Sequence, residues 1–97
     1  MSEKTLKDIM AFCSKQEIID TLAEECDERQ LRDFVFGMLQ KHDLRLNKEL
    51  SIVTKLCVRS MEKGRREEFE ALADKRNRCE AALQKTSQYM KEVSEAT

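Results

Sequence analysis

The sequence predicts an all-α fold, an N-terminal cluster of short helices followed by a long, partly coiled-coil helix, and three observations carry that prediction. The 97-residue chain has no proline and only two glycines, Gly37 and Gly64, too few turn formers for a sandwich or barrel of short strands. Its apolar residues recur at steps of three and four, the period of a helix face. Its 40% hydrophobic residues, against 38% charged and 5% aromatic, supply enough ordered apolar surface to exclude a disordered tail. A chain of this length buries only about two-thirds of its unfolded surface. One cooperative domain is therefore expected, with residues 1–42 as the short-helix cluster and residues 43–97 as the long helix.

The first helix is signalled by Thr5 with Asp8 three residues on, and Leu6, Ile9, Met10 and Cys13 fall on one helical face. A second start is read at Ser14 with Glu17, a capping-box spacing in which the hydroxyl accepts from an orphan backbone N–H and the carboxylate reaches back. Ile18, Ile19, Leu22, Ala23 and Cys26 supply its apolar face. A third start is read at Asp27 with Gln30, and Leu31, Phe34, Val35, Met38, Leu39 and His42 lie along one side. His42 reads as a residue of that helix's last turn, where partial positive charge is favourable.

From Asp43 no proline or turn-rich cluster interrupts the chain. Leu46, Leu50, Val53, Cys57 and Met61 form one stripe. Phe69, Leu72, Arg76, Cys79, Leu83, Thr86, Met90 and Val93 form a second whose steps alternate three and four, the coiled-coil seam. The stripes are out of register across Gly64, so either one helix of about 50 residues absorbs the slip or two helices meet there. The second seam needs a cover, because an isolated helix is marginal in water. Either the N-terminal cluster or a second copy supplies it, and the expectation is a homodimer through these eight positions.

Charge is unevenly placed. Residues 1–40 carry 5 basic and 9 acidic side chains, residues 41–66 carry 8 and 3, and residues 67–97 carry 5 and 7. Within the central block, Lys41, Arg45, Lys48, Lys55, Arg59, Lys63 and Arg66 fall in a sector of about 80° if one helix runs through them. Such a stripe can pair with acids of its own fold, dock an acidic protein, or track phosphates. Nucleic acid is the less favoured ligand, since no aromatic interleaves the stripe to stack a base and no phosphate loop or RNA-binding signature is present. Phe36 breaks the third helix's apolar pattern, about 140° around from Leu31 at helical spacing. With Gly37 beside it, and Leu44 and Val58 also off their stripe, it is a candidate partner-binding patch.

Chemistry has little footing in these residues. Cys13, Cys26, Cys57 and Cys79 form no C-x-x-C pair and the chain has one histidine, so no metal site, no cofactor and no disulfide framework is expected. His42 neighbours no serine or cysteine in a nucleophile motif, and Glu24 and Glu25 point apart on a helix, so no catalytic residue is expected. No apolar run is long enough to span a bilayer, and MSEKTLKD has no apolar leader core. An intracellular, cytoplasmic protein is expected. These features point to a non-enzymatic helical protein–protein interaction module, an adaptor, assembly factor or inhibitor. The alternatives are a nucleic-acid-associated helical protein using the basic stripe and a chaperone-like protein holding a client segment.

Overall fold

A computed structural model describes residues 3–95, with side chains from Thr5 onward. Residues 1–2 and 96–97, the outermost parts of the expected 1–42 and 43–97 segments and of the leader reading, lie outside the described residues. Among the described residues the chain is entirely helix and connecting turns: α1 (Glu3–Cys13), α2 (Gln16–Glu25), α3 (Glu28–Glu62) and α4 (Arg66–Glu95). The all-α class is as the periodicity predicts.

The helix ends differ from expectation in instructive ways. Thr5 lies inside α1 rather than at its start. The Ser14–Glu17 box does not form: Lys15 is the N-cap of α2, with φ −85° and ψ 148° and no side-chain cap. Its carbonyl instead accepts from the backbone N–H groups of Ile18 and Ile19. The Asp27–Gln30 box does form, with the Gln30 N–H donating to Asp27 Oδ1 at 2.9 Å and the Asp27 N–H donating to Gln30 Oε1 at 3.0 Å. Two otherwise orphaned donors are thereby satisfied at the head of α3.

α3 then runs 35 residues without a stop. The expected third short helix and the first half of the expected long helix are one element, because nothing between Lys41 and Arg45 breaks helical propensity. His42 is consequently in mid-helix and not in a last turn.

The break comes at Gly64, which takes φ +67°. Its N–H donates to the Met61 carbonyl at 3.2 Å, and the next N–H, of Arg65, donates to the Ser60 carbonyl at 2.9 Å. This pair of bonds around a left-handed residue is the Schellman ending. Of the two expectations for the long segment, two helices meeting at Gly64 is the one realised. The Phe69 N–H to Arg65 carbonyl bond of 2.9 Å opens α4.

The chain divides into two compact units. The first comprises the chain up to His42 together with the segment from Thr86, and the second comprises Asp43–Lys85. In the first, Leu6, Ile9 and Met10 of α1, Ile19 of α2, Leu31, Val35 and Leu39 of α3 and Val93 of α4 make one buried cluster. Each fully buried aliphatic contributes about 1.5–3 kcal/mol relative to an exposed one. The Phe12 ring meets both His42 (centroids 5.2 Å apart, planes at 82°) and Tyr89 (5.4 Å, 71°) edge-on, the favoured geometry for aromatic quadrupoles.

The second unit is a helical hairpin, since the three residues 63–65 between its arms leave no room for anything but antiparallel packing. Leu46, Val53, Cys57 and Ser60 of α3 and Cys79 of α4 are buried in it. The Cys79 thiol lies 3.9 Å from Glu49 Oε2.

Candidate functional site

α3 presents the residues of interest because it is long and only one side of it is covered. In the hairpin its buried positions recur from Leu46 through Val53 and Cys57 to Ser60, a narrow stripe that leaves most of the circumference in solvent. Met61, expected on that stripe, is 62% exposed. Two successive steps of four, from Val53 to Cys57 to Met61, rotate it away, and Ser60 takes the inward position instead.

On the outer side, Arg45, Lys48, Lys55 and Arg59 are all exposed, as is Lys41 on the part of α3 that belongs to the first unit. None of these five cations takes part in an ion pair among the described residues. Pairing with acids of the same fold, one of the three expected uses of the stripe, is therefore not formed at these positions. Lys63 stands in the turn and Arg66 is the first residue of α4, so the stripe's last two members are not on the helix that carries the others. Arg66 instead pairs with Glu70 at 3.3 Å, beside an Arg65–Glu68 pair at 3.4 Å. Between the cations of the hairpin segment lie Ile52, 58% exposed, and Leu56, 38% exposed.

The expected partner-binding residues separate. Phe36 is half-buried, packed against the core of the first unit and lining a depression with Arg32, Asp33, Val93 and Ser94. Gly37 faces open space, where an added Cβ would meet nothing within 4 Å. It forms the floor of a different depression of about 290 Å³, with Asp33, Phe34, Met38 and Lys41 around it. The exposed aromatic beside Gly37 is thus Phe34, at 50% exposure, rather than Phe36. Leu44 and Val58 are exposed, but they stand about 21 Å apart along α3 at 1.5 Å per residue and form no common patch.

The expected self-association seam faces inward. In the hairpin, Cys79 is buried and Phe69, Leu72, Arg76 and Leu83 are half-buried; in the first unit, Thr86 and Val93 are buried and Met90 is half-buried. Arg76 Nε is buried with no hydrogen-bond partner.

Phe34, Leu56 and Met61 are the exposed apolar residues that periodicity alone assigns to buried faces or passes over. Ile18 of α2, 48% exposed, is another. Among the described residues no group of His, Cys, Asp and Glu is placed to hold a metal ion. The four cysteines form no disulfide, with the Cys13 thiol directed to the Ile9 carbonyl at 3.7 Å. Among the described residues no helix is long and apolar enough to cross a membrane. No family model matches the chain, and no curated protein or solved structure matches it either.

Proposed function

We propose that this protein is a non-enzymatic helical interaction module, of the adaptor, assembly-factor or inhibitor kind, that docks a protein partner on the outer face of α3. One observation carries the reading: Ile52 and Leu56 are exposed among Lys48, Lys55 and Arg59, and none of those cations is in an ion pair among the described residues. Apolar side chains supply the contact area of an interface, while flanking charge steers encounter and selects the partner. Phosphate tracking fits less well, because branched aliphatics offer no ring on which a base can stack. A client-holding role would draw on an open apolar ridge, and the longest ridge in the chain, along α4, faces inward. A cytoplasmic location belongs to the same proposal and accords with four cysteines that form no disulfide.

A photo-crosslinking residue placed at Ile52, compared with one at exposed Lys75 of α4, tests the reading in cells that make the protein. Protein adducts from position 52, absent from position 75 and lost when Lys48, Lys55 and Arg59 are changed to Glu, are the expected result. Adducts to nucleic acid, or protein adducts independent of the three cations, would overturn it.

A further inference from the structure

We infer that the partner on the outer face of α3 is α2 of a second copy of this chain. The inference rests on that face being a docking surface and adds the identity of what docks.

α2 is the chemical complement of the α3 face. Its ten residues contain Glu17, Asp20, Glu24 and Glu25 and no base, and all four carboxylates are exposed. Glu17, Asp20 and Glu24 recur at steps of three and four, so they share one side of the helix. None of the four carboxylates is in an ion pair among the described residues; Asp20 accepts only the Gln16 side-chain amide at 2.8 Å. Exposed Ile18 lies on the adjoining flank, about 100° around from Glu17 and next to Glu25.

The opposing surface on α3 has the matching layout. Lys48, Ile52, Lys55 and Arg59 recur at steps of four, three and four, with Leu56 beside them. At 1.5 Å per residue, α2 is about 15 Å long and the stretch from Lys48 to Arg59 is about 16 Å long. An acidic helix with one exposed isoleucine therefore meets a basic strip of equal length with two exposed aliphatics. Both faces are carried by every copy, so the pairing of two chains is reciprocal in charge. A contact of one short helix on another is small, which makes the association weak, concentration-dependent and sensitive to salt.

The test exchanges the charges. One variant carries Lys48→Glu, Lys55→Glu and Arg59→Glu, so that both of its faces are acidic. The other carries Glu17→Lys, Asp20→Lys and Glu24→Lys, so that both are basic. Mass in solution is read by light scattering over a concentration series, with helicity checked by circular dichroism.

The parent is expected to reach twice the 11.4 kDa of one chain at low salt and to revert as salt rises from about 0.05 to 0.5 M, where screening shortens to a few ångströms. Each variant alone is expected to associate at least about tenfold more weakly. The equimolar mixture is expected to form a heterodimer, because every contact in it is again between opposite charges. A parent mass that stays at one chain, or a dimer indifferent to salt, overturns the inference. So does a mixture that remains monomeric while both variants stay helical. If either variant loses its helicity, the salt series on the parent decides alone. A monomeric parent whose position 52 still crosslinks to another protein overturns the second-copy partner and leaves the docking face standing, whereas the absence of any adduct at position 52 with a monomeric parent removes both.

Discussion

In the unit built from α1, α2, the first half of α3 and the end of α4, eight apolar side chains are no more than 3% exposed. In the hairpin of residues 43–85 the buried set is Leu46, Val53, Cys57, Cys79 and Ser60, a thinner interior with two thiols and a hydroxyl in it. The difference follows from geometry. Segments of four helices enclose a volume from several sides, so a side chain such as Leu39 is wholly removed from water. Two helices enclose only a seam, and each keeps most of its circumference wet. The hairpin consequently holds little stability of its own, and most of its surface stays exposed to water.

The sharpest way to break this comparison is to truncate one buried side chain in each interior to alanine. Leu39→Ala, at a site with 0% exposure, is expected to cost about 2–5 kcal/mol of unfolding free energy. Val53→Ala, at 4% exposure in the hairpin, is expected to cost about 1–2 kcal/mol, from the smaller volume removed at ~0.8 kcal/mol per CH₂. Urea titration followed by circular dichroism measures both. Equal costs would mean that the hairpin is packed as densely as the first unit. Native-state hydrogen exchange extends the same contrast: amides of residues 46–60 are expected to exchange through an opening lower in free energy than those of residues 31–39.

The connection between the hairpin's arms comes next in size. Gly64 has φ +67° and open space around its Cα, so Gly64→Ala adds no clash with a neighbour and isolates the backbone cost of a left-handed alanine. That cost is about 1–2 kcal/mol. A neutral result would show that the turn relaxes to another conformation without loss, and that the hairpin does not depend on its Schellman ending. Arg76→Leu acts in the opposite direction. Replacing a guanidinium whose Nε is buried without a partner by an apolar side chain at a seam position is expected to stabilise the protein by about 1 kcal/mol. The gain should appear in the exchange of the hairpin amides first.

The helical class and the Asp27–Gln30 cap were legible in the sequence because each depends on neighbours within a few positions, whereas the phase slip at Gly64 was legible but left a continuous helix and a break both readable. The end of the third helix was not legible. His42, read as the close of a short helix, sits among favourable helix formers, and its ring packs edge-on against Phe12, thirty positions away in the chain. The same holds for the site. Helical phase puts Phe34 on the apolar side with Leu31, Met38 and His42 and Phe36 about 140° from Leu31, off that side, and the structure reverses the two, with Phe34 50% exposed and Phe36 packed on the core. Phe36 falls on the side that α4 covers, near Val93, and Phe34 on the side that stays open. Likewise the cations of α3 were legible as a stripe, but whether acids of the same chain neutralise them depends on which helices pack alongside.

The smallest expected effects lie on that open side of the first unit, where a dense interior and an exposed face occur on one helix. Gly37→Ala places a methyl group into empty space in mid-helix, where alanine is favoured over glycine by up to about 1 kcal/mol. The free protein should therefore melt slightly higher. Phe34→Ala removes a ring that is already 50% exposed, and the lost half-burial is partly offset by alanine's better helix propensity, leaving a net change within about 0.5 kcal/mol. Only a few positions along the same helix, Leu39→Ala should cost several times more, so one melting series on three variants reads the covered and the open sides of α3 directly. A large loss for Phe34→Ala would place its ring in the core and close the depression beside Gly37. A loss for Gly37→Ala would mean that the space over Gly37 is occupied in solution, and since no described side chain apart from its chain neighbours would lie within 4 Å of the added Cβ, an occupant from another molecule would be the first to test.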